Sequence, residues 1–236
     1  MSFQALKESV CHANQQIVHA GLVTLTWGNV SGADRDQGVM AIKPSGVPYD
    51  RLQPEDIVVL SIKSGEVLEG SLSPSSDTPT HLVLYRVFPG IGAVVHTHSK
   101  YATGWAQAGL EIPCLGTTHA DHFRGSVPVT RPLRNDEVEN DYEKNTGMVI
   151  FERFRDSEIN PNEIPAVLVN AHGPFVWGKS LDSAIENAIT LEYVAECALL
   201  STALNPNAIP ISKVLLKKHF GRKNGKDAYY GQNPKP

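Results

Sequence analysis

Apolar side chains recur along this chain with two periods, and the switch from one to the other marks out its elements. Phe3, Leu6, Val10, Ala13 and Ile17 are spaced by three or four residues, so an amphipathic helix is expected over residues 3–20, with Gly21 as its stop. Short apolar runs at 22–26, 39–43, 57–62 and 67–69 predict strands, and residues 27–31 after the first of them read as a loop. The last two runs flank a turn containing Gly65 and form a hairpin. Thr78-Pro79 opens a helix, with threonine as the cap and proline at the first helical position, and the pattern reaches Val87. A strand leading to His96 and a helix over 99–108 come next, followed by an irregular stretch from 112 to 125 and a short strand at 127–130. Helix returns at 140–155, a polar loop fills 156–165, and an apolar strand runs from Val167 towards His172. The longest helical pattern, 180–204, places Ala184, Ile185, Ala188, Leu191, Val194, Ala195 and Leu199 on one side. Hairpin connections imply antiparallel pairing, and long amphipathic helices need a sheet to cover. The expected architecture is one α/β domain over residues 1–236, a mostly antiparallel central sheet flanked by helices, with no repeat and no linker.

The polar positions that interrupt this pattern carry the candidate chemistry. His96 and His98 end an apolar run one residue apart, and side chains at i and i+2 of a strand share a face. His172 ends another such run and is the most plausible third ligand. Three neutral imidazoles with an open fourth position suit a catalytic metal site better than a closed structural one, which ordinarily uses thiolates. Lone histidines at strand ends are usually only that, and the His-x-His spacing is what points to an ion. Gly28-Asn29, Lys43-Pro44-Ser45-Gly46 and Pro74-Ser75-Ser76-Asp77-Thr78-Pro79 are small polar loops at strand ends or a helix start, where hydroxyls and backbone N–H groups can receive an anion such as phosphate. Each alone is equally a turn, since these residues favour turns for conformational reasons. Asp121, within Thr117-Thr118-His119-Ala120-Asp121-His122, is a candidate general acid or base, or else a turn cap. Tyr229-Tyr230 ends a basic tail, where aromatics have no evident core to join.

Composition narrows the setting. A length of 236 residues suits one domain with a sizeable core. Cys11, Cys114 and Cys197 are far apart and without CxxC spacing, so neither a disulfide framework nor a thiolate metal site is indicated. A net charge of -4 offers no field for nucleic acid, and the basic cluster over 213–226 reads as a solvated helix end. No run is long enough for a membrane span, and the N-terminus lacks a basic region followed by an apolar core, so a cytoplasmic location with no membrane or nucleic-acid partner is expected.

Taken together, His96-Thr97-His98, Ala171-His172-Gly173-Pro174, Thr26-Trp27-Gly28-Asn29-Val30-Ser31, Lys43-Pro44-Ser45-Gly46 and Pro74-Ser75-Ser76-Asp77-Thr78-Pro79-Thr80-His81 resemble the class II aldolase/adducin family, over almost the whole chain. The resemblance implies a homotetramer whose subunits hold Zn2+, or another divalent ion, at His96, His98 and His172, with Asp77 at or near the fourth position. It implies phosphate binding at Gly28, Asn29, Ser45, Gly46, Ser75 and Ser76, with Lys43 nearby. In the epimerase branch the proton-transfer pair matches Asp121 and Tyr230, the tyrosine coming from a neighbouring subunit, so 221–236 is expected to be a tail reaching that subunit. The implied reaction inverts C4 of a ketopentose phosphate, L-ribulose 5-phosphate to D-xylulose 5-phosphate, in the catabolism of L-arabinose or another sugar. The family's aldolases carry Glu after the two serines. Here Asp77, one methylene shorter, sits farther from a substrate and is the weaker proton-transfer group, which favours epimerase over aldolase. His122, Arg124 and Asn170 depart from the epimerase pattern and bear on substrate preference. The alternatives are an aldolase that releases the aldehyde and a non-catalytic interaction module like the adducin branch.

Overall fold

In the computed structural model, which describes residues 3–225, 228 and 229, seven strands form one sheet. They are Asn29–Asp34 (β1), Val39–Ile42 (β2), Val58–Ser61 (β3), Val67–Glu69 (β4), Ala93–His96 (β5), Ala166–Leu168 (β6) and Pro174–Gly178 (β7). Their order is β4-β3-β2-β1-β5-β7-β6, and every neighbouring pair is antiparallel. Eight helices accompany them: Gln4–His19 (α1), Thr78–Val87 (α2), Lys100–Ala108 (α3), Thr117–His122 (α4), Asn135–Glu139 (α5), Tyr142–Asp156 (α6), Leu181–Leu204 (α7) and Lys213–Asn224 (α8).

Strand β5 shows how the sheet divides two cores. Ala93 and Val95 point into a core with Ile17 of α1, Ala102 and Ala106 of α3, and Leu191 and Val194 of α7. Val94 points the other way, joining Leu84 and Tyr85 of α2 and Ile150 and Phe154 of α6. In that second core Phe88, Phe154 and Trp177 meet with ring centroids 5.1 to 5.3 Å apart, each such pair adding about 0.5–1.5 kcal/mol beyond its buried area. The sheet is therefore clamped on both faces, and its strand ends at His96 and Asn29 are held rigidly.

Several expected boundaries shift, each for a local reason. Residues 22–26 turn rather than extend, and the strand begins at Asn29, inside the expected loop. The cause lies in α1: buried Asn14 donates to the Val30 carbonyl at 3.0 Å and accepts from the Val30 N–H at 2.9 Å. One strand residue is thereby fixed to the helix. Gly32 of β1 packs so closely that a Cβ there would lie 3.0 Å from Val10 and 3.2 Å from Leu181. The stretch 112–125 contains α4, and the expected strand at 127–130 makes only the isolated bridges Ile112–Val127 and Val129–Leu168. Residues 221–224, expected in a tail, are the end of α8, which packs against α4.

Candidate active site

His96 is the last residue of β5, and His98 lies just past the strand end. His172 arrives from the turn joining β6 to β7. In that turn Ala171 adopts φ 59°, and the close approach of Gly173 leaves no room for a side chain, since a Cβ there would sit 2.9 Å from the Thr97 carbonyl. The three rings converge with centroids 4.8 to 5.1 Å apart, and one nitrogen from each lies within 4.8 Å of the others.

The rings are also oriented. His96 stacks on Phe175, 4.1 Å between centroids, and its Nδ1 lies 2.9 Å from the Pro174 carbonyl. A carbonyl can only accept, so Nδ1 carries the hydrogen and the Nε2 lone pair faces the cluster. Burial, then the neighbouring imidazoles His96 and His98, pushes His172 down to about 4; burial and His96 likewise lower His98. Neutral imidazoles with fixed tautomers are the form that binds a divalent cation. The donor set fits the ion that the sequence implies.

Asp77 stands at the cap position of α2, yet its side chain makes no cap hydrogen bond. Its Oδ2 instead accepts from Asn29 Nδ2 at 2.7 Å. Burial raises its pKa, but His96, His81, the Asn29 hydrogen bond and His172 together outweigh that and hold the carboxyl below its ordinary range. Asn29 Nδ2 also donates to Ser75 Oγ at 3.0 Å, so the β1 start and the α2 start are tied together. Behind them buried His81 has its Nδ1 2.7 Å from Ser31 Oγ, and burial pushes its pKa down to about 3.

These groups open into a cleft of about 410 Å³. Its lining brings together Gly28, Asn29, Lys43, Ser45, Gly46, Ser75, Ser76 and Asp77 with His96, His98 and His172. Gly28 is required by geometry: its φ is 101°, and a Cβ there would come within 2.7 Å of the His96 carbonyl. Buried Lys43 lies with Nζ 4.7 Å from the centroid of the Tyr49 ring, and burial pushes its pKa down to about 8. Tyr49 in turn donates to the Gly28 carbonyl at 2.7 Å, linking the lysine to the glycine loop.

Asp121 is not among the lining residues. On α4 it accepts from Arg222 Nη2 at 2.6 Å and Nε at 3.0 Å, and lies 3.0 Å from His219 Nδ1, all on α8. Burial raises its pKa, and the Arg222 and His219 contacts overcome this and keep it low. Lys223 holds His122 at 2.7 Å and Glu186 at 3.0 Å, and Arg124 pairs with Glu163 at 2.5 Å. Asn170 borders the β6–β7 turn, with its N–H donating to Thr130. Tyr230 lies outside the described residues. Its neighbour Tyr229 donates its backbone N–H to the Arg222 carbonyl at 3.0 Å.

Trp27, which the family motif contains without a role of its own, also lines the cleft, as do Tyr142 and Glu143, which the sequence does not mark. Tyr142 begins α6 after Asp141, whose φ is 55°, and brings its hydroxyl to 3.4 Å from His172 Nδ1. No motif marks this pair; only the turn at Asp141 places it.

Residues 8–199 match the family described as Class II Aldolase and Adducin N-terminal domain. Over 229 residues the chain is 51% identical to proteins named L-ribulose-5-phosphate 4-epimerase UlaF from Salmonella paratyphi C (strain RKS4594) and Salmonella choleraesuis (strain SC-B67), covering 97% of this chain and 99% of each relative. Among solved structures it is similar to an L-fuculose 1-phosphate aldolase, at 25% identity and TM-score 0.79, over 94% of this chain and 97% of that one. A putative aldolase/epimerase/decarboxylase, YgbL from Klebsiella pneumoniae, aligns at 26% identity and TM-score 0.69, over 92% and 99%.

Proposed function

The chain belongs to the class II aldolase and adducin family, and from that premise we propose that it is a metal-dependent L-ribulose-5-phosphate 4-epimerase. What carries the reading is the convergence on one cleft of three imidazoles and three Gly/Ser loops. His96, His98 and His172, with Asp77 beside them, would hold a divalent ion, zinc in this reading, which would supply Lewis-acid stabilisation of the negative charge that develops as C3–C4 breaks. Gly28, Asn29, Ser45, Gly46, Ser75 and Ser76 grip the phosphate through backbone N–H groups and hydroxyls, and Lys43 adds the opposing charge. This grip keeps glycolaldehyde phosphate in the cleft while it turns its other face to C3. Asp121 and Tyr230 move the proton at the C4 oxygen, which lies on opposite sides before and after the turn.

In this reading Tyr230 reaches the cleft from a neighbouring subunit of a homotetramer, as the resemblance implies, and we extend the same placement to Asp121. Support comes from Asp121, whose own chain binds it to α8 rather than offering it to the cleft. The location is cytoplasmic, and the reaction belongs to catabolism of a pentose such as L-arabinose. Purified protein given L-ribulose 5-phosphate should form D-xylulose 5-phosphate, followed by NMR. Accumulation of dihydroxyacetone and glycolaldehyde phosphate instead would make it an aldolase, as its similarity to an L-fuculose 1-phosphate aldolase allows. No turnover would sink both. Tyr230→Phe should lower kcat by about a hundredfold to ten-thousandfold, the usual loss of a general acid or base.

A further inference from the structure

The cleft carries groups that neither the ion nor the phosphate accounts for, Trp27 among them. Trp27 stands at its rim with 52% of its surface exposed. Its ring centroid lies 6.3 Å from that of His98. Apart from Pro44, Tyr142 and the glycines, the rest of the cleft is lined by polar or charged side chains, whereas an indole presents a broad apolar face with a single N–H donor at its edge. Its position is nonetheless fixed. Trp27 donates its backbone N–H to the Thr24 carbonyl at 3.1 Å, across a turn in which Leu25 takes φ 55°, and the next residue, Gly28, is wedged against the His96 carbonyl. A non-glycine residue in the left-handed region is uncommon and costs conformational energy, so the turn that presents Trp27 is held by its surroundings.

We propose that Trp27 is the specificity-determining wall that keeps the aldehyde fragment in the cleft between bond cleavage and bond formation. The inference rests on the epimerase reading above. In the forward half, the C4 hydroxyl gives its proton to the base, C3–C4 breaks, C4 becomes an aldehyde and the electron pair passes to the C1–C3 enediolate. In the return half that pair attacks the other face of the aldehyde, and the new C4 oxygen takes up a proton. If the aldehyde leaves first, C3 of the enediolate is protonated and dihydroxyacetone is released. The indole lies near His98, beside the reacting carbons in this reading, and its residue directly precedes Gly28-Asn29, beside the phosphate, so it lines the space in which the fragment must turn.

Exchange tests this directly, because a fragment able to leave is also able to enter. The enzyme is turned over with L-ribulose 5-phosphate in the presence of 13C-labelled glycolaldehyde phosphate, and NMR reads label in the ketopentose pool against epimer formed. In Trp27→Ala the ratio of label incorporation to epimerisation should rise about tenfold or more, the effect of shifting two competing barriers by about 1.4 kcal/mol. Trp27→Phe, which keeps a ring, should fall between it and the unaltered enzyme, and metal content should be the same in all three. An unchanged ratio in both variants overturns the inference and leaves the epimerase reading standing. So does a changed oligomeric state with an unchanged ratio, which would assign Trp27 to a subunit contact. Absence of epimerisation by the unaltered enzyme overturns both.

Discussion

The histidine cleft and the edge formed by α4 and α8 treat their ionisable groups in opposite ways. In the cleft, His98 and His172 are held neutral by burial and by neighbouring imidazoles, and their nitrogens, with that of His96, converge on a common point. At the edge, Asp121 is surrounded by cations of its own chain, Arg222 and His219, which satisfy its oxygens and keep it ionised. One set of groups is arranged so that it could hold an ion; the other is satisfied by its own chain. Asp121 is thus held ionised outside its own chain's cleft, with both carboxylate oxygens engaged by α8.

The strongest test of that contrast is His98→Asn. Losing one of three imidazoles should strip the ion and lower turnover about a thousandfold or more, a barrier change of about 4 kcal/mol, while circular dichroism shows an intact fold. More than a few per cent of activity in verified metal-free protein would refute the Lewis-acid role.

Next in size is Asp121→Asn, expected to lower kcat by about a hundredfold to ten-thousandfold with metal content unchanged. If the edge serves a neighbour's cleft, His98→Asn and Asp121→Asn chains unfolded and reassembled together should regain activity, approaching about a quarter of the unaltered level in random mixtures of a symmetric oligomer. Each variant reassembled alone is the control. No recovery in mixed oligomers places both groups in one chain's site.

A smaller effect is expected from pH. Burial lowers Lys43 to about 8, so its charge is present below that pH and lost above it. A sugar phosphate, with a second pKa of about 6, is already doubly ionised there. KM should therefore climb about tenfold per unit above pH 8, and Lys43→Met should show a high KM without that slope. The smallest effect belongs to the edge. The Asp121 pKa is lowered in the folded chain, so its contribution to stability is present above the unfolded value of about 3.9 and is lost as pH falls through the folded one. Acidification through that window should speed hydrogen exchange in α8 before it does so in β1 and β5.

Legibility in the sequence followed burial chemistry. The long helices are readable because apolar periodicity reports which face is buried, and β5 because a strand buried on both faces reads as an unbroken apolar run. Strand β1 was misplaced because its buried residues include Ser31 and Gly32, which no hydrophobic pattern registers; Ser31 is satisfied by His81 and Tyr85, and Gly32 is chosen for closeness. The ligand and loop residues were found through His-x-His spacing and Gly/Ser turns, although His98 lies beyond the strand and His172 sits in a turn rather than on a strand. Tyr142 and Glu143 were invisible because they depend on one left-handed residue, Asp141, directing α6 to the cleft.

His98 and His172 lie on either side of α3, α4, α5 and α6. An ion shared by the two is thus a removable cross-link that closes a large internal loop, and closing such a loop costs little extra for its length. Because the unfolded chain cannot present the three rings together, each occupied site adds to folding free energy, by about 2.7 kcal/mol when the free ion stands at a hundred times its dissociation constant. With an ion bound there, the heat tolerance of this protein would depend partly on the metal content of its surroundings, and a chelator would act on it as a mild denaturant.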